Sequence, residues 1–241
     1  DNEIILTDDQ TIISTTDLKG AITSINEDFL DISGFSTEEL IGQNHNIVRH
    51  PDMPPAAFEA LWNTLKAGKA WMGLVKNRCK NGDFYWVQAN VTPLRENGKT
   101  SGYESTRVKA SQETINRAEK VYQSIWANKF SLPKFKLDYT AKISSVFSLL
   151  QLIVMVGLFV TGNISLIPAI VVWAISSVIG FGILTLVLKP LKSVTHKAQQ
   201  IMNNPLTQYI YTGRHDEAGQ IELALEMLSA LNLTILKRLD Q

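Results

Sequence analysis

Residues 42–54 read GQNHNIVRHPDMP, which puts His45, Arg49, His50, Asp52 and two prolines within thirteen positions. Side chains of these types ligate metals, catalyse, or grip an anionic cofactor. A zinc centre asks for about four N, S or O ligands in tetrahedral reach. His45, His50 and Asp52 are available, but no second Cys/His cluster accompanies them, so no metal site is expected. Triad hydrolysis would need a nucleophile on a sharp elbow, and no such motif occurs. A cofactor with phosphates and a planar ring fits the stretch better. Arg49 offers a bidentate fork to a pyrophosphate, His50 and Asp52 can hydrogen-bond sugar or ring edges, and the prolines hold the loop in shape. His45 reads as a surface or helix-terminal residue.

The elements that must position this loop are short. TIISTTD (11–17) and AITSIN (21–26) are β-branched runs separated by Lys19-Gly20, a hairpin pattern. Ser36-Thr37-Glu38-Glu39 is a capping box that starts a short helix. Pro54-Pro55 opens a longer one, with Phe58, Leu61, Trp62 and Leu65 as its apolar stripe and Gly68 at its end. Three strands follow in 70–80, 83–94 and 100–110, with Asn81-Gly82 and Asn97-Gly98 in the connections. The expectation for residues 1–125 is an α+β domain: a five-stranded antiparallel sheet with helices packed on one face.

Beyond it the chain changes character. Residues 143–188 are 46 positions without Asp, Glu, Lys or Arg. As one helix they would reach about 70 Å, roughly twice the ~30 Å of a bilayer core. TGNISLIP (161–168) breaks the run, so two transmembrane helices are expected at about 143–161 and 166–188. Lys129, Lys134, Lys136 and Lys142 precede the hairpin, Lys189, Lys192 and Lys197 follow it, and the turn is uncharged. The positive-inside rule then puts both ends in the cytoplasm. Residues 126–142 form a linker whose Trp126, Phe130 and Phe135 suit a membrane interface. The opening DNEIILTDDQ has no signal-peptide character. Lacking an initiator Met, the chain is expected to be a piece of a longer or processed protein. Twenty-three basic residues balance 23 acidic ones, which gives no nucleic-acid signature, and the single Cys79 excludes an internal disulfide.

The strand–helix–meander order, with NEDFLDISGFSTEELIGQN (26–44) and WMGLVKNRCKNGDFYWV (71–87), resembles a PAS sensor domain. ISTTDL (13–18), VRHPDMP (48–54) and the strand motif together are similar to the bacterial aerotaxis transducers of the Aer type. That resemblance implies FAD bound non-covalently by the PAS domain. Arg49, His50 and Asp52 match the family's loop, and Asn26, Trp71 and Asn77 match positions associated with the flavin, Asn77 against the ring edge. Each also has a plainer reading: Asn26 as a helix cap, Trp71 as core, Asp52 as a turn former. Light-sensing flavin PAS domains carry a cysteine where this chain has His45, and Cys79 reads as a neutral strand residue. Redox state rather than light is therefore the expected signal.

Residues 189–241 hold two amphipathic helices, the first opened by Pro190 with Leu191, Val194, Ala198 and Ile201, the second by Asp216-Glu217-Ala218-Gly219. NNPLTQYIYTGRH (203–215) connects them. The pattern resembles a HAMP domain, which implies an all-α parallel bundle and a homodimer. The family further implies a chemotaxis signalling module after residue 241, acting on a downstream kinase and coupling proteins, in an inner-membrane sensor that is not an enzyme. Three rivals remain at the level of sequence: a flavin reductase, for which no G-x-G-x-x-G exists; a haem gas sensor with His45 or His50 as ligand; and a ligand-free PAS dimerisation module. A histidine kinase or cyclase output also remains open.

Overall fold

The computed structural model of the chain describes residues 1–131 and 138–239; Lys134, Phe135 and Lys136 of the expected linker lie outside the described residues. The chain forms two compact units.

The first unit holds residues 1–131 together with Asn204–Gly213 and residues 225–239. Its centre is the expected antiparallel sheet of five strands, and their order is β2-β1-β5-β4-β3. The strands are β1 (Ile12–Asp17), β2 (Ile22–Ile25), β3 (Trp71–Arg78), β4 (Phe84–Glu96) and β5 (Lys99–Lys109). Asn97 and Gly98 turn β4 into β5 with φ of 51° and 79°. Both residues with positive φ match the right-handed twist of the flanking strands, which is why Asn-Gly serves there.

Between β2 and β3 the chain crosses the inner face of the sheet. α1 (Glu27–Ser33) starts at Asn26, whose side chain accepts from Phe29 N. α2 (Thr37–Leu40) carries the Ser36–Glu39 capping box. A 3₁₀ turn spans His45–Val48, and α3 (Pro55–Lys66) begins with Pro at its first position. Phe29, Leu40, Val48 and Met53 are buried beneath these elements at 1% exposure or less, and fix them to the sheet.

The outer face of the sheet is also covered. α4 (Gln112–Trp126) lays Tyr122 on Trp86, ring centroids 6.3 Å apart, and its hydroxyl donates to Leu74 O at 2.7 Å. Arg117 of α4 donates from Nε to Ile210 O at 2.7 Å and from Nη2 to Tyr211 O at 2.6 Å. Those carbonyls belong to α8 (Pro205–Thr212). The stretch expected as a plain connector is thus helical: Asn204 caps it through bonds from Leu206 N and Thr207 N, Pro205 fits its first position, and Gly213 ends it in the left-handed region.

The second unit comprises residues 138–203 and Arg214–Ala224. α5 (Tyr139–Val160) and α6 (Leu166–Val187) form the apolar hairpin. α5 starts four residues earlier than expected because Asp138 caps it, accepting from Ala141 N at 2.7 Å. Both helices are long and apolar enough to cross a membrane, and 0% of either apolar window is buried within the chain, unlike a soluble core hairpin. α7 (Lys189–Ile201) and α9 (Glu217–Leu239), whose residues from 225 onward belong to the first unit, are the two expected amphipathic helices. Lys192 Nζ pairs with Asp138 at 2.6 Å, and Asp216 accepts from Tyr139 Oη at 3.0 Å and from Arg214 at 2.9 Å.

Candidate functional site

The inner face of the sheet and the helices crossing it line a pocket that opens to solvent on one side. Strand register decides its floor. Trp71 pairs with Val91, Ala89 with Arg107, Ser105 with Ser14, and Tyr103 with Thr16. Alternation along each strand therefore turns these residues, with Val75 and Asn77, to one side. The apolar stripe of α3, Phe58, Leu61, Trp62 and Leu65, forms one wall. His45, Asn46 and Arg49 form another.

Two tryptophans of the pocket depend on small neighbours. The Trp71 indole lies over Gly73, and a methyl group there would overlap the ring. Trp62 packs over Gly20, with ring carbons 3.2–3.3 Å from the place of a Cβ, and meets Tyr103 edge-on at 5.7 Å.

Charge is distributed asymmetrically. Arg49, Arg107 and His45 line the pocket, and no Asp or Glu among the described residues does. Arg107 is 5% exposed. Burial lowers its pKa from 12.5 to about 10, so it stays cationic at neutral pH. Its Nη2 donates to Ser14 Oγ at 3.1 Å and to His45 Nε2 at 2.5 Å, and its Cζ lies 5.4 Å from the Phe29 ring centroid. A guanidinium only donates, so His45 must accept at Nε2 and carry its proton on Nδ1. Burial and then the Arg107 charge push His45 down to about 3, which keeps it neutral. Arg107 Nη1, Trp71 Nε1 and Ser105 Oγ are buried without a hydrogen-bond partner. Three unsatisfied polar groups on residues that line one pocket are costly for an empty protein and suited to a polar, electron-rich ligand.

Arg49 donates from Nη2 to Met53 O at 2.7 Å, and its Cζ stands 4.4 Å over the Phe58 ring. Its other N–H groups have no partner among the described residues. Its backbone pairs with Asn77, so the loop is an added rung on the β3 edge. Extended backbone alternates its side chains, and the loop's candidates divide accordingly.

Of the six residues singled out in the sequence, Arg49, Trp71 and Asn77 line the pocket together. Asn26, His50 and Asp52 do not. Asn26 accepts from Ile13 N at 2.9 Å and Phe29 N at 3.3 Å, and donates to Thr11 O at 2.7 Å, so its amide ties β1 to α1. His50 packs edge-on against Phe84 at 5.7 Å and accepts Asp52 N at 3.1 Å. Burial, then the Lys76 charge, lowers its pKa. Asp52, with its side chain 65% exposed, pairs with Lys76 Nζ at 2.7 Å, a bond that lowers its pKa, and its carbonyl accepts from Trp126 Nε1 at 2.8 Å. Sequence reading left His45 as a surface or helix-terminal residue and did not single out Ser14, Tyr103, Ser105 or Arg107. The alternation of Tyr103, Ser105 and Arg107 along β5 is the signal that would have found three members of this face.

The geometry bears on the haem rival and on thiol photochemistry. His45 directs Nε2 at the Arg107 guanidinium, and His50 stands outside the pocket. Cys79 is buried, its Sγ donates to Ile32 O at 3.1 Å, and burial raises its pKa to about 11, which makes it an inert thiol.

A family model described as the PAS fold matches residues 22–107. The aerotaxis receptor of Escherichia coli (strain K12) is 36% identical over 245 residues, covering 95% of this chain and 47% of that protein. The chain thus spans about half the length of that relative. A nitrogen fixation regulatory protein of Klebsiella pneumoniae is 30% identical over 82 residues, 34% of this chain and 17% of the other. Among solved structures, the light-state aureochrome1 LOV domain is 21% identical, covers 48% of this chain and 91% of its own, and superposes with a TM-score of 0.41. The chain thus carries a PAS-fold match over residues 22–107 and is similar to an aerotaxis receptor along nearly its whole length.

Proposed function

We propose that the pocket holds FAD and that the chain is a membrane-anchored redox sensor, not an enzyme, which passes flavin state to a chemotaxis signalling module. The observation that carries this reading is the pocket lined by Arg49 and Arg107, with no carboxylate among the described residues that line it. Two cations in an apolar enclosure favour an anionic ligand, and the unpartnered donors on the sheet suit a ring edged with acceptors. Similarity to an aerotaxis receptor supports the same assignment.

Arg49 is the residue to grip phosphate, because most of its N–H groups are free at the pocket wall. Arg107, braced by Ser14 and His45, presents Nη1 to the ring, and Asn77 offers a carboxamide that both donates and accepts. Trp71 closes the floor and excludes water. Bound flavin would supply reversible electron uptake, which alters charge where these side chains meet it. His50 and Asp52 act here from behind, fixing the Arg49 loop to Lys76 and Trp126.

Signal exit is read from the other face of β3 and β4. Leu74 is tied to Tyr122 of α4, and Asn90 Nδ2 donates to Thr234 Oγ1 of α9 at 2.9 Å. Helices α7 and α9 are assigned to a HAMP domain, with residues 189–241 as its extent, 1–125 as the sensor and 126–142 as the linker. A homodimer through HAMP and the membrane helices follows, as does a two-pass inner-membrane topology with both domains cytoplasmic.

The test is an absorption spectrum of the detergent-purified chain before and after dithionite. Paired near-ultraviolet and blue bands that bleach on reduction, FAD released on denaturation, and loss of both in Arg49→Ala are expected. A folded protein that takes up no flavin from added FAD, or an intense single Soret band, overturns the assignment.

A further inference from the structure

The first apolar helix contains a carboxamide that the chain itself leaves half satisfied. Gln151 sits just past the middle of α5, and in residues 143–188 the only other Asn or Gln is Asn163 in the turn. Gln151 Oε1 accepts from Ser177 Oγ at 3.2 Å, and Ser177 also meets Ser148 Oγ at 3.1 Å. The acceptor end is therefore held against α6. The two Nε2–H groups have no partner among the described residues, and the side chain is only part-buried. In hydrocarbon no water is available to satisfy them.

The residues around Gln151 form a seam. Phe147, Gln151, Val154 and Leu158 follow at spacings of four, three and four, the heptad rhythm of helices that pack along their length. Phe147 rests against Gly180 of α6 while 42% exposed, and Val154 and Leu158 are 57% and 38% exposed. Leu149 and Leu152 point away from the seam, into an open groove between α5 and α6 that Ser148 and Ser177 also line.

We propose that this seam docks a second copy of the chain, with Gln151 at the two-fold axis. The inference rests on the membrane-spanning and homodimer readings above and adds the face and the residue that set the register. A carboxamide is self-complementary: each copy donates Nε2–H to Oε1 of the other, and two-fold symmetry forms these bonds in pairs. An all-hydrocarbon seam would slide, because lipid tails and leucines offer similar contacts. One polar residue in an apolar seam fixes both register and partner number. Ser148 and Ser177 hold Gln151 in place for that role.

The experiment uses the full chain in native membranes, on a Cys79→Ala background, with single changes Val154→Cys and Leu158→Cys on the seam and Leu149→Cys and Leu152→Cys off it. Resistance to carbonate extraction reports insertion separately. Oxidation is expected to give disulfide dimers at 154 and 158 several-fold ahead of 149 and 152. Gln151→Leu should cut the yield at 158 several-fold, and Gln151→Asn should keep much of it. Equal yields on both sides, a yield at 158 indifferent to Gln151→Leu, or adducts to another membrane protein in place of dimers overturn the seam. Protein released by carbonate would instead fault the membrane reading on which the seam depends.

Discussion

Replacing Arg107 by Met separates a ligand-binding cation from a structural one. Burial lowers the Arg107 pKa from 12.5 to about 10. At about 1.4 kcal/mol per pH unit, keeping that charge costs the folded, flavin-free chain on the order of 3 kcal/mol. Against this stand two hydrogen bonds, to Ser14 and His45, each worth about 1 kcal/mol, and no carboxylate lines the pocket beside it. Methionine fills similar apolar space without the charge. Arg107→Met should therefore leave flavin-free stability within about 1 kcal/mol of the parent, where truncating a well-paired buried ion typically costs about 3–5 kcal/mol. FAD binding should suffer instead. Loss of one charge-assisted bond, roughly 1.5–3 kcal/mol, weakens the affinity about 10- to 100-fold. Denaturant titrations with and without FAD, read by tryptophan fluorescence, measure both quantities, because a ligand that binds only the folded state raises the midpoint. A flavin-free variant destabilised by about 3 kcal/mol or more, with FAD still raising its midpoint as in the parent, would refute the reasoning and make Arg107 a structural residue.

Two further outcomes follow from the same geometry. Asn26→Ala removes a cap and the ties to Ile13 and Thr11, and should cost about 2 kcal/mol of stability while FAD affinity, measured well below the unfolding midpoint, changes little; native stability with lost flavin would return Asn26 to the pocket. His45 has a folded pKa of about 3 against 6.5 in the unfolded chain, so the unfolded state takes up the proton first. Its contribution to stability is whole above pH 6.5 and is lost as pH falls toward 3, by up to about 2 kcal/mol between pH 6.5 and 5. His50, lowered by burial, acts with the same sign, so the His45 share is the part of the slope that His45→Gln abolishes in denaturant titrations at pH 7, 6 and 5.

Local chemistry in the sequence announced the elements well. Ser36 and Glu39 close their capping box, Asn97-Gly98 makes its hairpin, and the Phe58–Leu65 stripe faces inward. The stripe was legible as apolar, but that it walls a pocket depends on what it faces across the sheet. Arg107 was hidden for the same reason: only the placement of β1 beside β5 brings it to Ser14 and His45, which are far from it in the chain. Arg49, His50 and Asp52 misled in the opposite way. Adjacent in sequence, they looked like one constellation, yet the extended loop on the β3 edge turns Arg49 inward while His50 and Asp52 face Phe84 and Lys76. α8 carried its own signals, Asn204, Pro205 and Gly213, which a reading of the segment as a connector passed over.

The two faces of β3 and β4 bear on how pocket state would leave the domain. Ala89 and Val91 of β4 line the pocket, and Asn90 between them is 3% exposed on the opposite side, bonded to Thr234. On β3, Val75 and Asn77 line the pocket while Leu74 holds the Tyr122 hydroxyl. Neighbouring residues of one strand cannot move independently by much, because the ladder on either side fixes the backbone between them. A ligand that displaces the floor must therefore either strain these ladders or shift what Asn90 and Leu74 hold. A buried amide–hydroxyl bond is costly to leave open, so the second course is the cheaper one wherever the helices can follow. On the proposed reading that makes the strand itself the relay, and it assigns the outer-face helices, rather than a loop or a hinge, the task of being bistable.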